Sequence, residues 1–368
     1  MKLLMISGDR AVASGKRGPF AITLTGLSKH FERIDVLVPR VESSERAWER
    51  LVPPNVHFHT APVGIMGYPT WIVEEGERLV RAQGIRIATV HASPPFHHAI
   101  GAVRLAKKTG IKLAMEVHHV VGHPKAASPQ EYVAYIMSRI MLPRLAKGVR
   151  AIRVVNKSMV AFLAKWGING RLLHVVPSFY LDSSLIGAVR DVRPSVSLAF
   201  CARLVPNKNL PLVFDVLTLL PSATLVVISD GPMRKKWEQL ARDKGVAPRV
   251  TFRGWLGDET EVARVMKSAH VFVMPSLSEG GPRTALEAMM LGMPVVSTKV
   301  GVMPDVIVHG RNGFLADATP EAFADAIRPL LADQSLRDRI GAEASRIIEQ
   351  HERDTAIARY ARFLLALP

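Results

Sequence analysis

The sequence predicts an α/β protein built as two consecutive doubly wound domains. Three observations carry this. The chain has 368 residues, which suits two domains at about 150 residues each. Short apolar runs alternate with segments whose apolar residues recur at helical spacing, and the alternation is gone through twice. Hydrophobic residues make up 48% and charged residues 22%, a globular balance that excludes a disordered chain.

In the first half, strands are expected at 2–7, 34–38, 56–60, 87–91, 112–117 and 151–154. Helical patterns at 20–29, 70–83 and 97–109 lie between several of them. Strands separated by helices argue for a parallel sheet covered on both faces. In the second half, strands are expected at 196–200, 224–229, 249–252, 271–275, 294–297 and 313–316, with helices such as 210–219 and 233–244. The last pattern, 336–367, is helical with a break near Gln350 and His351. Pro177 and Ser178 interrupt the pattern at 176–182. The expected division is therefore 1–176, 177–349 and a terminal helix 350–368.

Cys201 is the sole cysteine, so an intrachain disulfide framework and a multi-cysteine zinc site are both excluded. That usage fits a reducing cytosol. No apolar run approaches the roughly 18 residues of a spanning helix. The opening run, Met1 to Asp9, reads as a first strand rather than a signal peptide. These features predict a cytoplasmic protein.

The net charge of +16 is unevenly placed. Residues 1–175 carry +14, and within them 101–175 hold 13 basic against 2 acidic residues. Such a field favours an anionic partner. Nucleic acid, an anionic membrane surface and a phosphorylated substrate all match it. The segment 130–150 mixes Tyr132, Tyr135, Ile136, Ile140 and Leu142 with Arg139, Arg144, Lys147 and Arg150. This composition suits a basic helix lying on an anionic membrane, interrupted at Pro143.

The richest stretch runs from Pro275 to Val296. A buried strand ends at Pro275 and a polar turn follows. Gly280 and Gly281 permit close approach of a ligand to the backbone. Pro282 suits the first turn of a helix that runs to Gly292, a C-cap residue. The helix N-terminus stands at the carboxyl end of a sheet strand, where open α/β sheets bind ligands and where phosphate is favoured. Glu279 precedes this helix and Glu287 lies within it. A carboxylate there accepts hydrogen bonds from vicinal hydroxyls of a ribose or a hexose.

Glu279 to Val296 resembles the signature of the retaining nucleotide-sugar glycosyltransferases of family 4, which have the GT-B fold. Ala202-Arg203-Leu204-Val205-Pro206-Asn207-Lys208-Asn209-Leu210 resembles that family's Arg…Lys loop. Asp230-Gly231-Pro232, the run Arg249 to Gly254, and Gly301, Pro304, Asp305, Gly310, Asn312 and Gly313 resemble its other motifs. The resemblance covers most of 196–317. It implies two Rossmann-like domains facing each other across a cleft, with the last helix, near 353–365, crossing back to the first domain.

The resemblance also implies roles. Arg203 and Lys208 face the donor diphosphate, Glu279 contacts the transferred sugar, and Glu287 binds the ribose. The backbone of Gly280, Gly281 and Arg283 lies against sugar and phosphate, and 252–255 borders the base. In the first domain Gly15-Lys16-Arg17-Gly18-Pro19 resembles the family's glycine loop, making Gly15 and Gly18 donor-site candidates. His118, in Glu116-Val117-His118-His119, matches a family histidine near the transferred sugar; His119 stands where the family often has Asp. His91 also ends a strand and is a further candidate for the cleft. The family motif often has an aromatic residue and then Gly after Glu-Gly, where this chain has Gly281 and Pro282.

The catalytic set expected is thus His118, Glu279, Arg203 and Lys208. The donor is a UDP- or GDP-sugar and the acceptor a glycan, a lipid-linked glycan or a small molecule. An inner membrane face is a possible docking surface. The histidines show no metal-binding spacing, and the Asp-x-Asp motif of metal-dependent transferases is absent, so no cofactor and no obligatory metal are expected. Two other readings are a nucleotide-sugar epimerase of the same fold and a non-catalytic anion- or nucleic-acid-binding protein. The latter lacks any recognisable nucleic-acid module.

Overall fold

A computed structural model describes residues 1–16, 18–41 and 47–368. The chain divides into two units. The first comprises Met1–Val120, Val133–Ser178 and Asp354–Pro368; the second comprises Val121–Tyr132 and Phe179–Arg353. The last helix therefore groups with the first unit, and a short stretch beyond residue 120 groups with the second.

The first unit is built on seven strands: β1 (Lys2–Ile6), β2 (Arg33–Val38), β3 (Val56–Thr60), β4 (Ile87–His91), β5 (Lys112–Val117), β6 (Ala151–Val154) and β7 (Leu173–Val175). Their order is β3-β2-β1-β4-β5-β6-β7, and every pairing is parallel. The edge strand β7 is absent from the sequence reading. It has three residues, of which His174 and Val175 are exposed, so it lacks the apolar run that marks the others.

Helices Tyr68–Gln83 and His97–Thr109 pack through Ile72, Leu79, Ala99, Ala102 and Leu105 into the core that also holds Leu4, Ile6 and Val90. The terminal helix Arg353–Leu365 buries Ala356, Ile357, Tyr360, Ala361 and Leu364. These positions recur at three- and four-residue steps and so form one stripe.

The second unit holds β8 (Val196–Cys201), β9 (Leu225–Ile228), β10 (Val250–Gly254), β11 (Ala269–Met274), β12 (Val295–Thr298) and β13 (Phe314–Ala316). Their order is β10-β9-β8-β11-β12-β13, again wholly parallel. Alternate residues feed two cores on the two faces. Leu198, Phe200, Val271 and Val273 point to one, with Phe214, Trp237 and Phe323. Ala199, Cys201, Phe272 and Met274 point to the other, with Leu286 and Met289. Burial on both faces is why these strands read as unbroken apolar runs. Side chains of Asn156, Asp258, Thr319 and Asp333 cap four helices by accepting from free backbone N–H groups.

The helix Pro129–Ala146 continues through Pro143, contrary to the expected interruption. An interior proline costs about 3 kcal/mol. Burial of Leu142, Leu145 and Ala146 offsets it, and the Arg144 guanidinium donates to the Ile140 carbonyl at 2.7 Å.

Candidate active site

In the second sheet, β8 and β11 are neighbours although two strands and three α-helices separate them in sequence. Strand order reverses between them, with β9 and β10 to one side and β12 and β13 to the other. Loops leaving the carboxyl ends of two such strands part in opposite directions and leave a crevice for a ligand. The loop after β8 carries Arg203 and Lys208; the loop after β11 carries Glu279, Gly280 and Gly281.

The two loops are tied together. Leu277 N–H donates to the Asn207 carbonyl at 2.7 Å, and Asn207 Nδ2 donates back to the Ser278 carbonyl at 3.2 Å. Asn209 Nδ2 reaches the Pro275 carbonyl at 3.3 Å. Asn209 itself has φ +52°, a left-handed conformation that asparagine tolerates. Lys208 Nζ and a Glu279 carboxylate oxygen form an ion pair, both side chains being largely covered. Arg203 is exposed. Ser278 Oγ donates to the His123 carbonyl at 2.8 Å, so the 121–132 stretch lies directly beside the Glu279 loop.

Two glycines here answer to geometry. Gly301 has φ +55°, and a Cβ on it would stand 2.3 Å from the Gly280 carbonyl oxygen. Val302 N–H donates to that same oxygen at 2.9 Å, so this close approach anchors the turn. A Cβ on Gly281 would meet the Phe179 ring at 3.0 Å. A larger side chain at Gly281 would press on Phe179.

The helix Arg283–Met290 follows. Pro282 is its N-cap, with φ −70° and ψ 91°, and so stands just outside the first turn where the sequence reading put it. At the other end Gly292 N–H donates to the Met289 carbonyl and Met293 N–H to the Ala288 carbonyl, each at 2.9 Å. That is a Schellman closure. Thr284 Oγ1 donates to the Cys201 carbonyl at 2.7 Å and fixes the helix start against the end of β8.

Glu287 projects from the covered side of this helix. Its Oε1 accepts from Arg283 Nε at 2.7 Å. Burial pushes the Glu287 carboxyl above its ordinary range, against the opposing pull of the Arg283 guanidinium. Arg283 also lies 5.3 Å from the centre of the Tyr180 ring. The sequence-named Glu279, Gly280, Gly281, Arg283 and Glu287 thus occupy one short turn and one helix, with Lys208 paired into them. The segment 252–255 ends β10, and its Trp255 is 76% exposed.

In the first unit Gly15 (φ +78°) closes a turn in which its N–H donates to the Val12 carbonyl at 2.9 Å. Gly18 is extended and precedes the helix Pro19–Leu27. Lys16 is exposed, and Arg17 lies outside the described residues. The Gly15 loop follows β1 and His91 ends β4, the two strands at which this sheet's order reverses. His118 follows β5. Its ring stacks on His91 with centroids 4.5 Å apart. Burial and the neighbouring His118 lower the His91 pKa to about 3, so His91 is neutral.

Sequence reasoning missed three residues here. Glu116, Arg153 and Tyr360 are buried together at His118. Two of them carried a signal: Glu116 and Arg153 are charges within the apolar runs of parallel strands, an arrangement that burial tolerates only when the charges are paired.

Comparison with known proteins places these features in a family. Residues 194–346 match the family model described as glycosyl transferases group 1. A GDP-mannose-dependent alpha-(1-6)-phosphatidylinositol monomannoside mannosyltransferase of Mycobacterium tuberculosis is 32% identical over 314 residues, covering 78% of this chain and 77% of that protein. Sulfoquinovosyl transferase SQD2 of Arabidopsis thaliana is 27% identical over 72% of this chain. The match spans about half the length of that plant protein (53%) and of a Rhizobium meliloti lipopolysaccharide core glycosyltransferase (48%). Among solved structures, Anabaena Alr3699/HepE in complex with UDP superposes with a TM-score of 0.79 at 19% identity, covering 100% of both chains. At that identity the likeness concerns the fold.

Proposed function

The chain belongs to the group 1 glycosyl transferases, and from that premise we propose that it moves a hexose from a nucleotide-sugar to a hydroxyl acceptor with retention at the anomeric carbon. The observation that carries the reading is the meeting of Lys208 with Glu279 at the switch point of the second sheet, beside the helix that bears Glu287. A cation beside a sugar-binding carboxylate suits a reaction whose charge builds on a departing diphosphate.

In this proposal Lys208 and Arg203 meet the diphosphate, and Glu279 accepts from hydroxyls of the transferred sugar. Glu287 accepts from the ribose, and the backbone of Gly280, Gly281 and Arg283 lines the sugar and phosphate. The bond from the anomeric carbon to the diphosphate oxygen breaks. A bond from that carbon to the acceptor oxygen forms on the same face. The acceptor proton passes to the departing phosphate oxygen, giving a nucleoside diphosphate and a glycoside. The two cations supply the countercharge, so the scheme calls for no cofactor or metal ion. In the first unit, Gly15 and Gly18 are the residues proposed for the donor, and His118 for the transferred sugar.

The donor is a UDP- or GDP-sugar. The mycobacterial relative is named for GDP-mannose, and the Anabaena structure holds UDP. For the acceptor we favour a lipid-linked glycan or glycolipid at an anionic membrane surface on the cytoplasmic side. The basic first half supports this. So does the helix Pro129–Ala146, which exposes Tyr132, Val133 and Ile140 together with Arg139 and Arg144. The same relative is named for a phosphatidylinositol monomannoside. Among the described residues no helix is long and apolar enough to cross a membrane.

The test is a panel of UDP-, GDP- and ADP-sugars, read by thermal shift and by nucleotide release, on the wild type and Glu287→Ala. Release of one nucleotide, weakened in the variant, is the expected result. Conversion of the sugar while it stays on the nucleotide establishes the epimerase reading instead. Silence toward every donor, with salt-dependent retention of nucleic acid, establishes the binding-protein reading.

A further inference from the structure

His118 is held by a carboxylate that is itself fully engaged. Glu116 is buried, and four donors, from β4, β6, the terminal helix and the residue just after β5, converge on its two oxygens. Oε1 accepts from Thr89 Oγ1 on β4 at 2.6 Å and from the Tyr360 hydroxyl on the terminal helix. Oε2 accepts from Arg153 Nη1 on β6 at 2.7 Å and lies 3.1 Å from His118 Nε2. Arg153 is fixed in turn. Its Nε donates to the Val176 carbonyl at 2.9 Å and its Nη2 to the Pro177 carbonyl at 2.6 Å, and its guanidinium lies 3.8 Å over the Tyr360 ring.

A carboxylate offers about four lone-pair sites, and here all four are taken. It has no freedom to rotate and no proton to give. Burial alone would raise the Glu116 carboxyl, but Arg153 with the His118 and Thr89 hydrogen bonds outweighs it and holds the group well below the carboxylate range. The proton in the Glu116–His118 contact therefore sits on His118 Nε2. In a neutral imidazole the other nitrogen, Nδ1, then carries a lone pair. The His118 side chain is 36% exposed, and its stacking partner His91 is a partly buried, neutral ring.

We propose that Glu116 is the positioning residue of His118. It selects the Nε2–H tautomer, clamps the ring plane with His91, and presents Nδ1 as a hydrogen-bond acceptor to a hydroxyl of the transferred sugar. The Tyr360 hydroxyl completes the clamp, so the terminal helix takes part in organising the site. The choice of a sugar hydroxyl rests on the glycosyltransferase reading; the tautomer rests on the hydrogen bonds around Glu116 and on its ionised state.

The first experiment needs no variant of Glu116. Long-range proton–nitrogen correlation spectra of the ¹⁵N-histidine-labelled wild type near neutral pH, with His118→Asn for assignment, report which nitrogen is protonated. The expected pattern is a protonated Nε2 and an unprotonated Nδ1. A proton on Nδ1, or on both nitrogens, overturns the proposal. The second experiment compares steady-state kinetics of Glu116→Ala and Glu116→Gln. Gln keeps an acceptor oxygen toward Arg153 and His118 while its amide turns to the two hydroxyls. Ala is expected to mix the tautomers and lower kcat about tenfold to a hundredfold at nearly unchanged donor KM, with Gln restoring most of it. A folded Ala variant with the wild-type tautomer and kcat overturns the proposal. Where the Ala variant fails to fold, the wild-type tautomer and the Gln variant decide. A wild type that turns over no sugar-nucleotide overturns the ligand named here and the enzyme reading with it. A wrong tautomer removes the positioning role and leaves the enzyme reading standing.

Discussion

Lys208 and Glu279 are 71 residues apart in sequence and form a largely covered ion pair at the carboxyl ends of two adjacent parallel strands. The contact joins the loop after β8 to the loop after β11, and three further hydrogen bonds between those loops hold it in register. Each partner therefore fixes the place of the other, in addition to the ligand role proposed for it. Lys208→Ala is expected to lower kcat about a hundredfold, the scale of losing one preorganised charge stabiliser. Glu279→Gln is expected to lower it comparably, and the double variant to cost less than the two losses combined, because the residues act as a unit. Steady-state kinetics of the four proteins check this; strict additivity contradicts it.

In the proposed role Glu287 accepts from two ribose hydroxyls and must be ionised to do so, and burial raises its pKa. Nucleotide affinity is expected to fall as pH drops, beginning above the ordinary glutamate value of about 4.3. Glu287→Gln is expected to bind about tenfold more weakly at neutral pH and to lose that acidic limb. Titration calorimetry across pH is the check. A limb that survives in the Gln variant assigns it to another group.

Gly301→Ala places a methyl group against the Gly280 carbonyl oxygen at a left-handed φ. The expected loss of stability is roughly 1–3 kcal/mol, with weaker nucleotide binding because the turn carrying Glu279 must move. Wild-type melting and wild-type affinity in this variant would be incompatible with the turn described.

Asp35 is fully buried on β2, accepting from Arg33 Nε at 2.7 Å and Nη2 at 2.9 Å, with His59 Nε2 at 2.9 Å. Burial works to raise its carboxyl; the His59 and Arg33 hydrogen bonds prevail and lower it. A depressed folded pKa stabilises above the unfolded value, about 3.9, and that stabilisation is lost as pH falls through the folded one. Asp35→Asn is expected to cost about 3 kcal/mol at pH 7 by stranding Arg33 and His59. Urea unfolding at pH 7 and at more acid pH should show the gap between wild type and variant closing only on the acid side. A gap that widens toward acid refutes the assignment.

Cys201 is buried at the end of β8, and burial, with Glu287 nearby, pushes its thiol up to about 12. A thiol without thiolate is inert. Iodoacetamide near neutral pH is expected to leave the native protein unlabelled and to label it once per chain in urea. Rapid native labelling would mean that the β8 end opens.

Most strands and the helices between them were legible because parallel strands buried on both faces appear as apolar runs with nothing to disguise them. The exceptions have physical causes. Strand β7 is a short edge with two exposed residues, and pairing along β6 alone holds it in the sheet. Pro143 announces a break that the packing of Leu142 and Leu145 overrides.

The loop proposed to hold the donor was legible for a different reason. Glu279, Gly280, Gly281, Arg283 and Glu287 lie within nine consecutive residues, so one turn and one helix carry their geometry. Glu116, Arg153 and Tyr360 span 245 residues and belong to two strands and the terminal helix, so no local pattern links them.

The sequence by itself determined the two parallel sheets, the helix that follows Pro282, and the residue types offered to a phosphorylated sugar, since each depends on neighbours a few positions away. Only the tertiary structure decided which of those residues meet. It set Lys208 on Glu279, gave Glu287 to Arg283, left Arg203 exposed, and surrounded Glu116 with four donors. Contacts of that kind follow from strand order, and strand order is settled by burying both faces of a sheet at once, which no single segment of the chain encodes.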